Sequence, residues 1–154
     1  MGRPQRMVDE EKAIDILKQT SWGVLSMVDT HGFPYSKAVN AVYCAQEHCL
    51  FFHCANSGMR WDILHENPAV RYVAVVHEEI IGSQFTTHYA SVAVNGRAHF
   101  FEDEQEIRSS LEFLTEALAP GELEKRPELM GSCLKNVAMV RVEIVEITAK
   151  VNEG

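Results

Sequence analysis

With 154 residues the chain has room for one domain with a sizeable core, and 46% hydrophobic against 23% charged residues is an ordinary globular balance. The net charge of −8 argues against nucleic acid, which needs a broad basic face. The longest apolar runs, Leu50–Phe52 and Val73–Val76, are too short to span a membrane, and the polar opening MGRPQRMVDEEK has no apolar signal core, so a cytoplasmic protein is expected.

Residues 1–8 read as an arm, carrying Arg3 and Arg6, before a single domain. Asp9 to Gln19 predicts a helix with Asp9 as N-cap, Glu10 and Glu11 at its positive end, and an apolar stripe of Ala13, Ile14 and Leu17. Trp22–Val28 and Tyr35–Tyr43 read as two strands of a hairpin, joined through Asp29–Gly32, where Gly32 is free to take positive φ. Ala45–His48 makes the next turn and Cys49–His53 the third strand, which gives an antiparallel meander. Both faces of that third strand are apolar (Cys49 and Phe51 on one, Leu50 and Phe52 on the other), so it is expected to be covered on both sides.

A second helix is expected over Ser57–Glu66, capped by Asn56 or Ser57 and stopped by Pro68. Val70–His77 is a fourth strand, followed by a loop over Glu78–Phe85. Thr86–Phe101 is a long strand interrupted by Asn95-Gly96, and Tyr89 and Ser91 share one of its faces. Glu102–Ala119 is the clearest helix, with Ile107, Leu111, Leu114 and Leu118 at helical spacing and Pro120-Gly121 at its end. Glu122–Lys135 reads as a shorter helix or turn. Val137–Val151 closes the chain as a strand whose alternation slips at Val145-Glu146-Ile147, the mark of a β-bulge. Six strands with peripheral helices place the chain in the mainly β class, and an antiparallel sheet of this size best avoids raw edges by closing into a barrel.

Four cysteines show no C-x-x-C pair, and seven histidines show no H-x-x-x-H, so no metal site is expected. Cys44 and Cys49 flank a turn and could face each other; free thiols are the expectation in a reducing compartment. The common nucleotide and hydrolase fingerprints, G-x-G-x-x-G, G-x-x-x-x-G-K-[ST] and G-x-S-x-G, are missing. An anionic ligand would need a local positive site, and Lys37, Arg60, Arg71 and Arg97 are the candidates.

The stretch LFFHCANSGMRWDILHENP, Leu50–Pro68, runs from a strand through a loop of small residues into a helix start. One reading is a capped connection. The other is an anion site, in which free N–H groups at the helix start act with Ser57 and Arg60.

Three blocks bear on the choice: WGVLSMVDTHGFPYSKAVNAVY, LFFHCANSGMRWDILHENPAVRYVAVV and YASVAVNGRAHFFED. Together they resemble the pyridoxamine-phosphate-oxidase-like FMN-binding split barrels, and among these the nitroimidazole-resistance (Nim-type) flavoproteins, over about Asp9–Ala119. The resemblance implies a homodimer with one FMN in each of two clefts at the subunit interface. It implies that Pro34, Tyr35, Ser36, Ala38, Val39 and Asn40 line the flavin ring, largely through backbone groups, and that His53, Cys54 and Ala55 continue that wall. Ser57, Gly58, Met59 and Arg60 would hold the phosphate end, with further contacts from Tyr89, Ser91 and Val92. The chain departs from the family at two points: Gly58-Met59-Arg60 stands where Gly-His-Lys is common, and Ala38-Val39-Asn40 where Pro-Val-Asn is usual. It ends in ITAKVNEG without the basic C-terminal substrate motif of true pyridoxamine phosphate oxidases, so vitamin B6 synthesis is not expected.

The function so implied is an FMN-dependent oxidoreductase passing electrons from NADH or NADPH to a small oxidised acceptor such as a nitro-aromatic. His53 is the one candidate for acid–base work, with a wall-lining role as its alternative. The reading from a different class is a flavin- or haem-binding carrier or sensor of the same fold, without turnover.

Overall fold

Asp9 opens the first helix as expected: its extended backbone precedes α1 (Glu10–Lys18), and its carboxylate accepts a hydrogen bond from the Lys12 N–H at 2.9 Å. The buried stripe is Ala13, Ile16 and Leu17, so Ile16 takes the place expected for Ile14. The computed structural model describes residues 4–153, which leaves Arg3 of the arm outside them. Within the arm, Met7 bridges to Lys150 and the Val8 N–H donates to the Ala149 carbonyl at 3.2 Å.

Seven strands form one antiparallel sheet: β1 (Gly23–Val28), β2 (Pro34–Val39), β3 (Val42–Cys44), β4 (Cys49–Ala55), β5 (Ala69–Ile81), β6 (Thr86–Phe100) and β7 (Val137–Asn152). The spatial order is β2-β1-β5-β6-β7-β4-β3. The expected count of six is corrected because Tyr35–Tyr43 is two strands. β2 pairs with β1, β3 pairs with β4, and they lie on opposite edges of the sheet. Laid flat, seven strands would hold those edges roughly 29 Å apart at about 4.8 Å per strand. Only Asn40 and Ala41 join them, a reach of about 11 Å at most. The sheet must therefore curl until its edges meet, which is the barrel. The chain is not a simple meander either, since β4 pairs with β7 along its whole length.

Two bulges bend the long strands. On β6–β7 the partner of Asn95 is Glu146 and that of Gly96 is Ile144, which leaves Val145 as the extra residue. The interruption at Asn95-Gly96 and the slip at Val145 are therefore one feature. On β5–β6 the register shifts between Val76 and Glu79, where His77 takes φ +55°. Beyond it β5 continues to Ile81, so the first half of the loop expected over Glu78–Phe85 is hairpin arm.

One apolar cluster fills the barrel, with Leu25, Phe52, Tyr72, Val94 and Val142 at its centre and α1 packed into it. A second lies outside β4 and β7 beneath α3 (Glu104–Leu118), and includes Phe51, Leu111, Leu114 and Met139. β4 is covered on both faces, as its composition requires. The segment Glu122–Lys135, expected as a short helix or turn, is two short helices, α4 (Glu122–Lys125) and α5 (Glu128–Leu134), broken at Arg126-Pro127 because a proline disfavours helical backbone in the residue before it.

Candidate functional site

β4 delivers the chain at Ala55 into Asn56-Ser57-Gly58, and α2 (Met59–Glu66) follows. The cap is Gly58, not Asn56 or Ser57. Its φ of 97° and ψ of 177° fall in a region that essentially only glycine occupies, and no side chain caps the helix. The first N–H groups of α2 are thus left for another acceptor, at the positive end of the helix dipole.

A cleft of about 390 Å³ opens at this point, between Tyr35, Lys37 and Ala38 of β2 on one side and Ala55 and Ser57–Arg60 on the other. Tyr35 and Lys37 stand opposite buried Met27 and Leu25 on β1, so they project from the inward face of β2 at its rim. The Lys37 ammonium lies 5.5 Å from the centre of the Tyr35 ring. Neither Lys37 nor Arg60 is in an ion pair among the described residues. Two cations without carboxylate partners beside an uncapped helix start make a cradle for a phosphate-like anion. Met59, 61% exposed, adds a thioether to the wall.

Arg60 also acts on β4. Burial lowers the His53 pKa from its usual value and the Arg60 charge lowers it further, so His53 is neutral at neutral pH. Burial raises the Cys54 thiol, and Arg60 partly opposes that.

The other expected residues are dispersed. Pro34 lines a separate groove of about 430 Å³ with Ser26, Arg71, Arg97 and Val145. Arg71 there donates to Asn95 Oδ1 at 2.7 Å. Ser36 bonds Ser26, Oγ to Oγ, at 2.9 Å on the outer face. Asn40 Nδ2 donates to the Ser21 carbonyl at 3.0 Å and fixes the corner between β2 and β3. Val39, Cys54 and Val92 turn their side chains into the barrel core, so they can offer a ligand only backbone groups. His53 lies on the Phe51 face of β4 and is not among the residues that line the cleft. Tyr89 lines a groove with Arg6 and Phe85, and Ser91 is on the same face of β6. Lys37, expected only as one of four candidate cations for an anion and not among the flavin-lining residues, stands in the cleft. Its signal was alternation, since a lysine on the inward face of a strand calls for a partner.

Among the described residues no three metal-ligating side chains cluster, and no helix is long and apolar enough to cross a membrane.

Residues 9–151 match the family model described as pyridoxamine 5'-phosphate oxidase. No curated protein matches the chain. Among solved structures, one provisionally described as a 5-nitroimidazole antibiotic resistance protein of Bacteroides thetaiotaomicron superposes with a TM-score of 0.75 at 19% identity, covering 94% of this chain and 86% of that one. The flavocytochrome Anf3 of Azotobacter vinelandii gives 0.76 at 20% identity, over 95% and 68% of the two chains. A protein of Mycobacterium smegmatis described as binding FAD and haem gives 0.79 at 16%, over 97% and 74%. At these identities the likeness is one of fold.

Proposed function

The chain belongs to the pyridoxamine 5'-phosphate oxidase family, and from that premise we propose that it is an FMN-dependent oxidoreductase. The observation that carries the reading is that Lys37 and Arg60, neither in an ion pair among the described residues, line one cleft at an uncapped helix start. Arg60 and the first N–H groups of α2 hold the phosphate, and Lys37 adds charge from the opposite wall. Tyr35, Ala38 and Ala55 give the cleft its less polar side. Bound there, the cofactor supplies redox chemistry between a reduced nicotinamide, NADH or NADPH, and a small oxidised acceptor, with nitro-aromatics the first class to test. His53, whose pKa is lowered so that its ring favours the neutral form, stays the candidate for proton exchange, although its side chain does not line the cleft.

The working unit is a homodimer. Val24, Val28, Val73 and Val75 expose apolar side chains on one outer face of the sheet, Val75 to 53%. Alternation puts Pro34, Ser36, Ala38 and Ser91 on that same face. A second copy seated there covers the valines and brings the dispersed residues to a shared cleft, so each chain contributes part of the wall.

A carrier or sensor without turnover is the second reading. It is favoured by the two similar folds whose proteins are described as a flavocytochrome and as binding FAD and haem. Anaerobic mixing of the yellow protein with NADH or NADPH separates the two: bleaching of the flavin bands supports the oxidoreductase, and unchanged bands support the carrier. Light scattering tests the dimer, and a monomer in solution would count against the shared cleft.

A further inference from the structure

Cys44 and Cys49 close the turn between β3 and β4 as direct cross-strand partners, and both are buried free thiols. Antiparallel partners have Cα atoms about 4.5–5.5 Å apart with side chains on the same face. A disulfide needs about 4.4–6.8 Å, so the bond requires no rearrangement of the strands. The pair is not sealed from solvent. Cys44 lines a cavity of about 280 Å³ with Gln46, Glu47, Phe101 and Arg141, remote from the cleft at α2. Its thiol donates to Gln46 Oε1 at 3.4 Å, and the Arg141 guanidinium donates to Glu47 Oε2 at 3.3 Å across the same cavity. The other two cysteines are elsewhere: Cys54 faces the barrel core, and Cys133 is exposed on α5.

We propose that Cys44 and Cys49 are a reversible oxidation site, in which a small hydroperoxide enters the Cys44 cavity and converts the two thiols to a cross-strand disulfide. The Cys44 thiolate attacks one peroxide oxygen; the O–O bond breaks, and the leaving oxygen departs as water once protonated. Cys44 is then a sulfenic acid. The Cys49 sulfur attacks it, the S–S bond forms, the S–O bond breaks, and a second water leaves. Two thiols lose two electrons and two protons, and one hydrogen peroxide becomes two waters. A small dithiol reverses the step by exchange.

The order of attack follows from the surroundings. Cys44 lines the cavity and Cys49 does not, so Cys44 meets the peroxide and Cys49 resolves the intermediate; burial and the neighbouring Cys44 and Glu47, which push the Cys49 thiol up to about 12, agree with this order. Disulfide formation therefore quickens as pH rises.

The test uses the full chain with Cys133→Ser, which removes the exposed thiol and leaves three of the four cysteines. After hydrogen peroxide, quenching and unfolding, alkylation is expected to find one thiol where it found three. The peptide spanning Cys44 and Cys49 should be two hydrogens lighter, and a dithiol should restore both sites. In Cys49→Ser, Cys44 should stop at a sulfenic acid that a dimedone probe captures. If that variant does not fold, the peptide map of the Cys133→Ser chain decides alone. Retention of all three thiols, oxidation at Cys54 instead, or a Cys44 sulfinic acid that the dithiol cannot reverse would overturn the proposal.

Discussion

Val39 and Val42 are three positions apart in the chain, yet they belong to opposite edges of a seven-stranded sheet. The corner between them is held by the Asn40 side chain on the Ser21 carbonyl at 3.0 Å, and Ala41 is 1% exposed. Asn40→Ala removes that hydrogen bond while leaving the backbone path open. It should lower stability by about 0.5–1.5 kcal/mol, read as a shift in the urea midpoint at unchanged slope. A lowered slope instead would mean that barrel closure itself depends on Asn40.

Gly23 lies against β5 with no space for a side chain. A Cβ there would come 2.5 Å from the Val73 carbonyl oxygen and 2.6 Å from Cζ of the fully buried Tyr72 ring. Neither the backbone oxygen nor the packed ring can retreat cheaply. Gly23→Ala should therefore destabilise the protein by about 1–3 kcal/mol or more, measured by thermal or denaturant unfolding. At Gly32 nothing lies within 4 Å of a Cβ, so the cost of Gly32→Ala is limited to strain at its φ of +82°.

The lowered pKa of His53 gives a pH dependence of definite sign. The folded state binds the proton less readily than the unfolded chain, whose histidines titrate near 6.5. Stability is therefore full above about pH 6.5 and falls as the pH drops below it, towards the folded pKa, because the unfolded state takes up more protons there. Arg60→Leu removes the second cause and should raise the His53 pKa, while burial keeps it below the usual value. Titration of the His53 ring by NMR measures this directly. An unmoved pKa would place the guanidinium too far away to act.

What was legible in the sequence follows from how local each signal is. α3 and its stripe of Leu111 and Leu114 depend on spacing within one element. The bulge was visible from both partners, as Asn95-Gly96 on one strand and the slip at Val145 on the other. The split at Asn40 was hidden because alternation along Tyr35–Tyr43 reads the same whether or not the partner strand changes midway. The continuation of β5 past His77 was masked by Glu78-Glu79, polar residues on an exposed hairpin arm. At the candidate site, the small-residue loop and Arg60 were legible. The choice of Gly58 over Ser57 as cap was not, since either type serves there by propensity. Lys37 was named as a candidate cation, but that it shares a cleft with Arg60 was not legible, because this depends on barrel closure and not on proximity in the chain.

The most direct measurement is a titration of the purified, cofactor-free protein with FMN, followed by flavin absorbance and fluorescence, beside the Arg60→Glu variant. The account predicts stoichiometric yellow complex with the native chain. It predicts affinity weakened by about 10- to 100-fold or more in the variant, the loss of one charge-assisted phosphate contact of roughly 1.5–3 kcal/mol, with the fold retained by circular dichroism. A native protein that stays colourless with added FMN, or a variant that binds it with undiminished affinity, would contradict the assignment of the phosphate cradle to Arg60 and the start of α2.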